Sequence, residues 1–541
     1  MSPSSSGTFE HERVMDPACL RHTEIPGTSK LFADLAYHFG DPSGDPTNHI
    51  ARFYRHNPHA RESYAAAARE VQYPDDRRAA MARVLEAQNP GNVLVARFAQ
   101  AGTMAVVTGQ QVGLFSGPAY TIYKALTAAR LADDLNASGI PTVPIFWMAT
   151  EDHDFAEVDH VWIFDAAHRP IQLRIEAPTA WQGKPRPAGT YPVEHPPIAE
   201  LRAALAEFPY GEEVAAAVAD SYQPGVTMGA GFRALLTKLL GKIGMLVVDP
   251  LDSQLRNVGA PFMAEALAAA PDLKKALLAR NKELTAAGYH AQVNVEENTS
   301  LFFLLEQGER VTLRKKDAEF AALEDRAADV SPNALLRPVW QDYLFPTVAY
   351  VGGPGELAYF AQSQVIYDRL LGRMPVVVSR ASVTLLDARA AKLISRYSLT
   401  IPETLVPEEA LKERIAHALI PQAVASLFEE TSGEVTRKLD RLGSGLESFD
   451  PTLAAAVGKS RAKVLYQIEK LRKKTERETL RRDARASEEA RYLSSLLYPQ
   501  RHMQERFYAM LPFLAQHGLD LVDRLYGSVQ MDCPDHRVVT L

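Results

Sequence analysis

The sequence predicts an α/β fold, a doubly wound parallel sheet that carries insertions and is followed by a charged helical region. Three observations support it. Short, largely β-branched apolar runs at 104–107, 143–149, 245–248, 347–351 and 375–378 have the character of strands buried on both faces. Helical periodicity separates several of these runs. Polar or glycine-rich clusters stand at their carboxyl ends, where open α/β sheets bind ligands.

The first pair of runs is the most complete. The run at 104–107 leads into TGQQVGLFSGP, Thr108 to Pro118. Pro118 stands where a helix can open, and Ile122, Leu126, Ala129 and Leu135 give that helix a buried face. A turn at 138–141 returns the chain to the second run, which leads to Glu151, Asp152, His153 and Asp154. A right-handed crossover would set the two polar clusters side by side on one sheet edge.

Residues 1–30 are polar and turn-rich, and helical pattern fills 48–71 and 75–87, so 1–100 reads as a helical preface. The core is expected over 101–385, with insertions near 155–225 and 287–337; the first opens as a β-rich lobe of strand-like pieces at 158–164, 171–175 and 190–193, after which helical pattern returns at 199–220 and 231–240. The second insertion centres on Gln307, Gly308, Glu309 and Arg310 between strand-like runs, which is hairpin chemistry with Gly308 in the turn. The doubly wound pattern then resumes with the run 347–351, the loop Gly352 to Glu356, a helix over 357–371 and a run ending at Ser379 and Arg380.

Charged helix occupies 386–497. Val435, Leu439, Leu442, Leu446 and Phe449 step by three and four, and Val457, Arg461, Val464, Ile468 and Leu471 do so after Asp450 and Pro451. That predicts an antiparallel helical hairpin whose narrow apolar seam suits self-association. A helical tail over 498–541 is expected to return to the core.

Composition narrows the function. The 541 residues suffice for two or three domains. The 59 basic residues against 66 acidic ones, net −7, argue against a nucleic-acid partner. No charged-then-apolar leader and no run of about 18 apolar residues occurs, so no membrane partner and a cytoplasmic location are expected. Cys19 and Cys533 are the only cysteines and lie near opposite ends, which speaks against a disulfide framework or a cysteine-rich zinc site.

Four clusters carry chemistry. Gly109, Gly113 and Gly117 make either a tight turn or an anion cradle, because uncovered N–H groups beside a helix start can hold phosphate or carboxylate. Their spacing matches neither the dinucleotide fingerprint nor the P-loop. Gln110 and Gln111 favour binding, since two amides at a strand exit are costly to bury without partners. Tyr123 and Lys124 lie within the following helix, and Lys124 either reaches back to a bound anion or stays in solvent. Glu151, Asp152, His153 and Asp154, with His160 nearby, form the richest titratable cluster. Acid–base or ligand work, simple capping of the next element, and a metal site are its three readings. Gly352, Gly353, Gly355 and Glu356 allow close backbone approach, and Arg380 either clasps a carboxylate or phosphate or sits in a buried ion pair.

Three segments give these clusters a family context. Residues 107–124 (VTGQQVGLFSGPAYTIYK), 144–160 (PIFWMATEDHDFAEVDH) and 350–359 (YVGGPGELAY), in that order, closely resemble the bacillithiol-biosynthesis cysteine-adding enzymes, the BshC family. The resemblance spans the chain and is tightest over 103–160 and 337–385. It implies a Rossmann-like core with two connecting-peptide lobes, and an α-helical coiled-coil domain that pairs two subunits as a homodimer. It implies a ligase that joins L-cysteine by an amide bond to the amino group of glucosaminyl malate, and a bound adenine nucleotide, ATP or ADP, without fixing its pocket. No metal is expected.

Amide formation from a free carboxylate is uphill in water, so the cysteine carboxylate needs activation, by adenylation or phosphorylation. On this reading the loops at 108–117 and 352–356 hold anionic groups, with Arg380 and Lys124 as charge partners. His153 or Asp152 then takes a proton from the attacking amine. Two readings compete: a metal-assisted hydrolase using the 151–160 cluster, and a non-enzymatic dimeric scaffold.

Overall fold

The computed structural model describes residues 18–39, 49–313, 321–447 and 449–541. The first part of the polar lead-in, 1–17, lies outside the described residues. The chain divides into two compact units, one holding 1–166, 170–384 and 505–539, the other 167–169, 385–504 and 540–541.

The first unit is built on five parallel strands: β1 (Met104–Gln110), β2 (Thr142–Met148), β3 (Leu246–Val248), β4 (Thr347–Gly352) and β5 (Val376–Ser379). Their spatial order is 3-2-1-4-5, the Rossmann-like doubly wound arrangement. All of β2 and all but the ends of β1 are buried, which is why these strands read as continuous apolar runs. Polar Thr108, Gly109 and Gln110 extend β1 beyond its apolar run because Phe146, Trp147 and Met148 stand opposite them as ladder partners. From β1 the chain crosses over to β2, whereas β4 crosses over to β5 on the other side. The crevice between β1 and β4 is therefore the topological switch point.

Helix α1 (Tyr120–Ala137) joins β1 to β2, α2 (Ser253–Ala268) follows β3, and α3 (Pro354–Leu370) joins β4 to β5. The start of α1 lies past Pro118 because the preceding residues are spent on a tight turn. Phe115, Ser116 and Gly117 have φ of 51°, 74° and 65°, in the left-handed region. A Cβ at Gly113 would stand 3.0 Å from Gly117 Cα, so a side chain there would press the two ends of this turn apart by a few tenths of an ångström. Deeper in the core Trp147 meets Trp340 edge-on, with centroids 5.5 Å apart, and Gly259 of α2 makes room for that indole.

The two insertions have different make-up. After β2 come an antiparallel hairpin, His160–Phe164 with Pro170–Arg174, and then helices Ile198–Leu205 and Gly211–Ser221, in the order of the strand-like pieces and the helical pattern read from the sequence. The second contains a three-stranded sheet in which Phe302–Glu306 pairs with Glu309–Thr312 and Val330–Pro332. Gln307 and Gly308, with φ of 52° and 75°, form its two-residue turn. The tail after 505 is not one long helix. It ends in the strand His536–Thr540, which pairs with Ala18–Leu20, because the β-branched pair Val538 and Val539 suits an extended, buried segment.

The second unit is helical. Helices α4 (Gln422–Glu447) and α5 (Pro451–Arg482) form the expected hairpin, and Asp450 caps α5 by accepting from Thr452 N at 2.7 Å. Its seam does not close within one chain: Leu442, Phe449, Val464 and Leu471 stay 51, 81, 41 and 57% exposed. Among the described residues, no helix is long and apolar enough to cross a membrane.

Candidate active site

A cavity of about 630 Å³ opens at the β1/β4 crevice, on the carboxyl edge of the sheet. The end of β1 lines it with Gly109, Gln110 and Gln111, the residues beyond β2 with Glu151, Asp152 and His153, and the start of α3 with Gly353, Gly355 and Glu356. Lys124 of α1 and Arg380 beyond β5 close one side, while Phe303 and Arg310 of the second insertion, with Arg337, close another.

Lys124 does not reach into solvent. Its buried ammonium pairs with Glu356 and donates at 2.8 Å to Gly109 O and to Gln110 Oε1, stitching the end of β1 to the start of α3. Burial pulls the ammonium down to about 8, against the opposing attraction of Glu356. Burial would raise Glu356, but Lys124 and the Gly353 amide more than offset it and hold the carboxyl below its ordinary range. Tyr350 Oη and Gly353 N also donate to Glu356, at 2.8 and 2.9 Å. With so many donors on the carboxylate, the ionised pair is the resting state.

Asp152 and His153 face the cavity half-buried. Gln111 Nε2 donates to Asp152 Oδ2 at 2.8 Å, and the other oxygen lies 3.9 Å from both His153 Nδ1 and Arg310 Nη1. Arg310 Nη1 is 3.0 Å from His153 Nδ1. A guanidinium only donates, so Nδ1 accepts and the neutral imidazole keeps its proton on Nε2. Burial and then Arg310 lower the imidazole below its ordinary range, outweighing Asp152 and Asp154. Arg310 is itself fixed by Ser331 Oγ at 3.1 Å, Pro332 O at 2.8 Å and the Phe303 ring, 3.8 Å below the guanidinium carbon.

Several expected site residues serve the scaffold instead. Glu151 borders the cavity but is buried in an ion pair with Arg256, which also donates to Ala328 O and Val330 O. It ties the core to the second insertion and is not free for proton transfer. Arg380 borders the cavity with its fork filled by Glu505, at 2.9 and 2.7 Å, so the buried ion pair is the reading that holds. Thr108 donates to Val351 O at 2.8 Å across the sheet, and Gly352 accepts from Arg380 N at 2.9 Å, still within β4. Gly113 and Gly117 build the tight turn, and Tyr123 is buried in α1 away from the cavity lining. Asp154 is exposed off the cavity, and His160 pairs with Asp159 at 2.7 Å on the hairpin.

Comparison with known proteins places this architecture. The family model described as bacillithiol biosynthesis BshC, N-terminal Rossmann-like domain, matches residues 21–381, and the BshC C-terminal coiled-coil domain matches 383–541. The chain belongs to the BshC family. A relative in Solibacter usitatus, named "Putative cysteine ligase BshC", is 49% identical over 97% of this chain and 100% of its own length. Relatives of the same name in Koribacter versatilis and Salinibacter ruber are 35 and 31% identical, covering 97 and 81% of this chain and 100 and 83% of theirs.

The BshC cavity also contains residues that sequence reasoning passed over. Arg310 and Phe303 lie on the inserted hairpin, whose local pattern signals a turn and not a site. Tyr120, Glu157 and Tyr359 sat inside the quoted segments without an assigned role, and Gln292, Asn333, Arg337 and Arg506 carried no local signal. Arg337 donates to Tyr359 Oη, and among the described residues no carboxylate pairs with it within 4.0 Å. Arg506 is exposed at the cavity and likewise has no described ion pair. Among the described residues no group of three His, Cys, Asp or Glu side chains converges as metal ligands.

Proposed function

We propose that this BshC-family chain is a cysteine ligase that joins L-cysteine to the amino group of glucosaminyl malate by an amide bond, giving bacillithiol. The observation that carries this reading is the pairing of chemistries in one cavity. Arg337 presents a guanidinium with no paired carboxylate among the described residues, and Asp152 presents a carboxylate whose Oδ1 has only long contacts, with Asp154 N at 3.4 Å and Arg310 Nη1 at 3.9 Å. Arg337 and Arg506 suit the malate carboxylates of the sugar substrate, the fork of each matching a carboxylate's two oxygens.

Asp152 is the proton acceptor for the attacking amine. His153 serves better as an Nε2–H donor that orients a substrate oxygen, because Arg310 occupies its other nitrogen. An adenine nucleotide, ATP or ADP, would supply the activation that the cysteine carboxylate needs. Glu356 already takes the Gly353 N–H at the start of α3, so the residues that fit such a group are Gly355, which leaves backbone open there, with Arg337 and Arg506 as charge partners. The open α4–α5 seam supports a homodimer formed through the hairpin, and the chain would act in the cytoplasm.

The test is incubation of purified protein with L-cysteine, glucosaminyl malate and ATP, followed by mass spectrometry. The expected result is bacillithiol with AMP or ADP in equal amount. No adduct of the two substrates under these conditions would overturn the proposal. Sedimentation should give a dimer that Leu442→Glu with Leu471→Glu converts to monomer.

A further inference from the structure

The Lys124 ammonium has three protons, and all three are taken. It pairs with Glu356 and donates at 2.8 Å to Gly109 O and to Gln110 Oε1, so none is left to reach a substrate. Its effect on the cavity passes through Gln110 instead. An ammonium only donates, which fixes the Gln110 amide with its oxygen towards Lys124 and its NH2 group towards Tyr120 Oη, 3.2 Å away. Tyr120 Oη is therefore the acceptor for Gln110, and its own proton has no acceptor among the described residues. Tyr120 is the half-buried first residue of α1 and borders the same cavity as Asp152. Burial pushes the phenol above its ordinary range, against the pull of Arg506 and Arg380, so it keeps that proton. The next residue along β1 does the same for a group of opposite polarity, since Gln111 Nε2 donates to Asp152 Oδ2 at 2.8 Å. Consecutive amides thus hold a proton donor, Tyr120, and a proton acceptor, Asp152, in one cavity.

Resting on the ligase reading above, we propose that Tyr120 is a further catalytic residue whose O–H donates to the acyl oxygen of the activated cysteine, with Lys124 and Gln110 as its positioning residues. As the sugar amine adds to the acyl carbon, the C–N bond forms and the carbonyl electron pair moves onto that oxygen, which turns anionic. The Tyr120 hydrogen bond strengthens at this point, because a charged acceptor holds a donor more tightly than a neutral carbonyl does. The amine proton passes to Asp152. When the carbonyl re-forms, the bond from the acyl carbon to its phosphoryl-bearing oxygen breaks and the electron pair leaves with that oxygen. Tyr120 keeps its proton throughout.

The experiment measures kcat and KM of the full chain and two variants with L-cysteine, glucosaminyl malate and ATP, with unfolding midpoints to show that both variants are folded. Tyr120→Phe keeps the ring and loses the donor; kcat should fall roughly 10²-fold or more, with KM for each substrate within about threefold of wild type. Gln110→Glu offers one oxygen to Lys124 and the other to Tyr120, so the tyrosine proton turns to the new carboxylate and away from the cavity. It should lose kcat to a similar extent although Tyr120 is intact, a change that a merely structural tyrosine would tolerate. Wild-type kcat in either variant, or a loss confined to KM, would overturn this inference and leave the ligase reading standing. No bacillithiol from the wild-type protein would overturn both.

Discussion

Arg310 Nη1 stands 3.0 Å from His153 Nδ1, so an arginine from the inserted hairpin dictates which nitrogen of the candidate-site histidine holds a proton. On the proposed function this leaves proton acceptance to Asp152. Asp152→Asn should lower kcat by roughly 10²- to 10⁴-fold. His153→Gln, which keeps an N–H donor, should stay within about tenfold of wild type, a loss of about 1.4 kcal/mol or less. Wild-type turnover by Asp152→Asn in single-turnover kinetics would remove the assignment.

Arg337 offers the second functional test. Arg337→Lys retains a charge but loses the planar fork, and should raise KM for glucosaminyl malate by about tenfold or more with a smaller change in kcat. A change confined to kcat would show that it acts elsewhere in the reaction.

The Lys124–Glu356 pair separates structure from chemistry. Lys124→Met leaves a buried carboxylate without its main partner and should cost about 3–5 kcal/mol in denaturant unfolding. Adding Glu356→Gln should restore part of that loss, since neither charge is then stranded. Additive effects in the double variant would show that the pair is not energetically coupled.

Glycines bordering the cavity should differ sharply in tolerance. A Cβ on Gly109 would lie 2.7 Å from Trp147 O, a backbone atom of the neighbouring strand, whereas one on Gly355 meets nothing nearer than Gln292 Nε2 at 3.8 Å. Gly109→Ala is expected to destabilise by about 1–3 kcal/mol and Gly355→Ala by well under 1 kcal/mol, measured as shifts in unfolding midpoint.

Acid should act first on the buried network behind Arg380. Ser382 Oγ donates its one proton to Glu505 Oε1 at 2.8 Å, so it must accept from His536 Nδ1 at 2.7 Å, and Thr384 Oγ1 then donates to His536 Nε2 at 2.9 Å. Burial holds the His536 imidazole down at about 4, against the pull of Glu505. Arg380 holds Glu505 down at about 2 despite burial. Both folded values lie below the unfolded ones, so both contributions are present above the unfolded pKa and are lost as pH falls. The His536 share, on the order of 3 kcal/mol, is lost between pH 6.5 and 4, and the Glu505 share between 4.5 and 2. His536→Gln should flatten the upper part of the urea-midpoint profile; an unchanged slope there would contradict the network.

By itself the sequence determined the parallel sheet, because strands buried on both faces must be apolar throughout, and β1, β2 and β4 show this directly. It also determined which edge holds the cavity, since the polar residues Gly109 to Gln111, Asp152 to His153 and Gly353 to Glu356 end those strands. The helical hairpin was legible from its step of three and four. Tertiary structure alone decided what each polar side chain does there. Glu151, Asp152 and Asp154 are near-identical in sequence terms, yet Arg256 neutralises the first, Gln111 and the cavity receive the second, and solvent takes the third. The deciding partners Arg256, Arg310 and Glu505 come from residues about 100 or more positions away, and no local pattern encodes such a pairing. Charge in a low-dielectric crevice is assigned by whichever group arrives within hydrogen-bond distance, and only the folded chain brings those groups together.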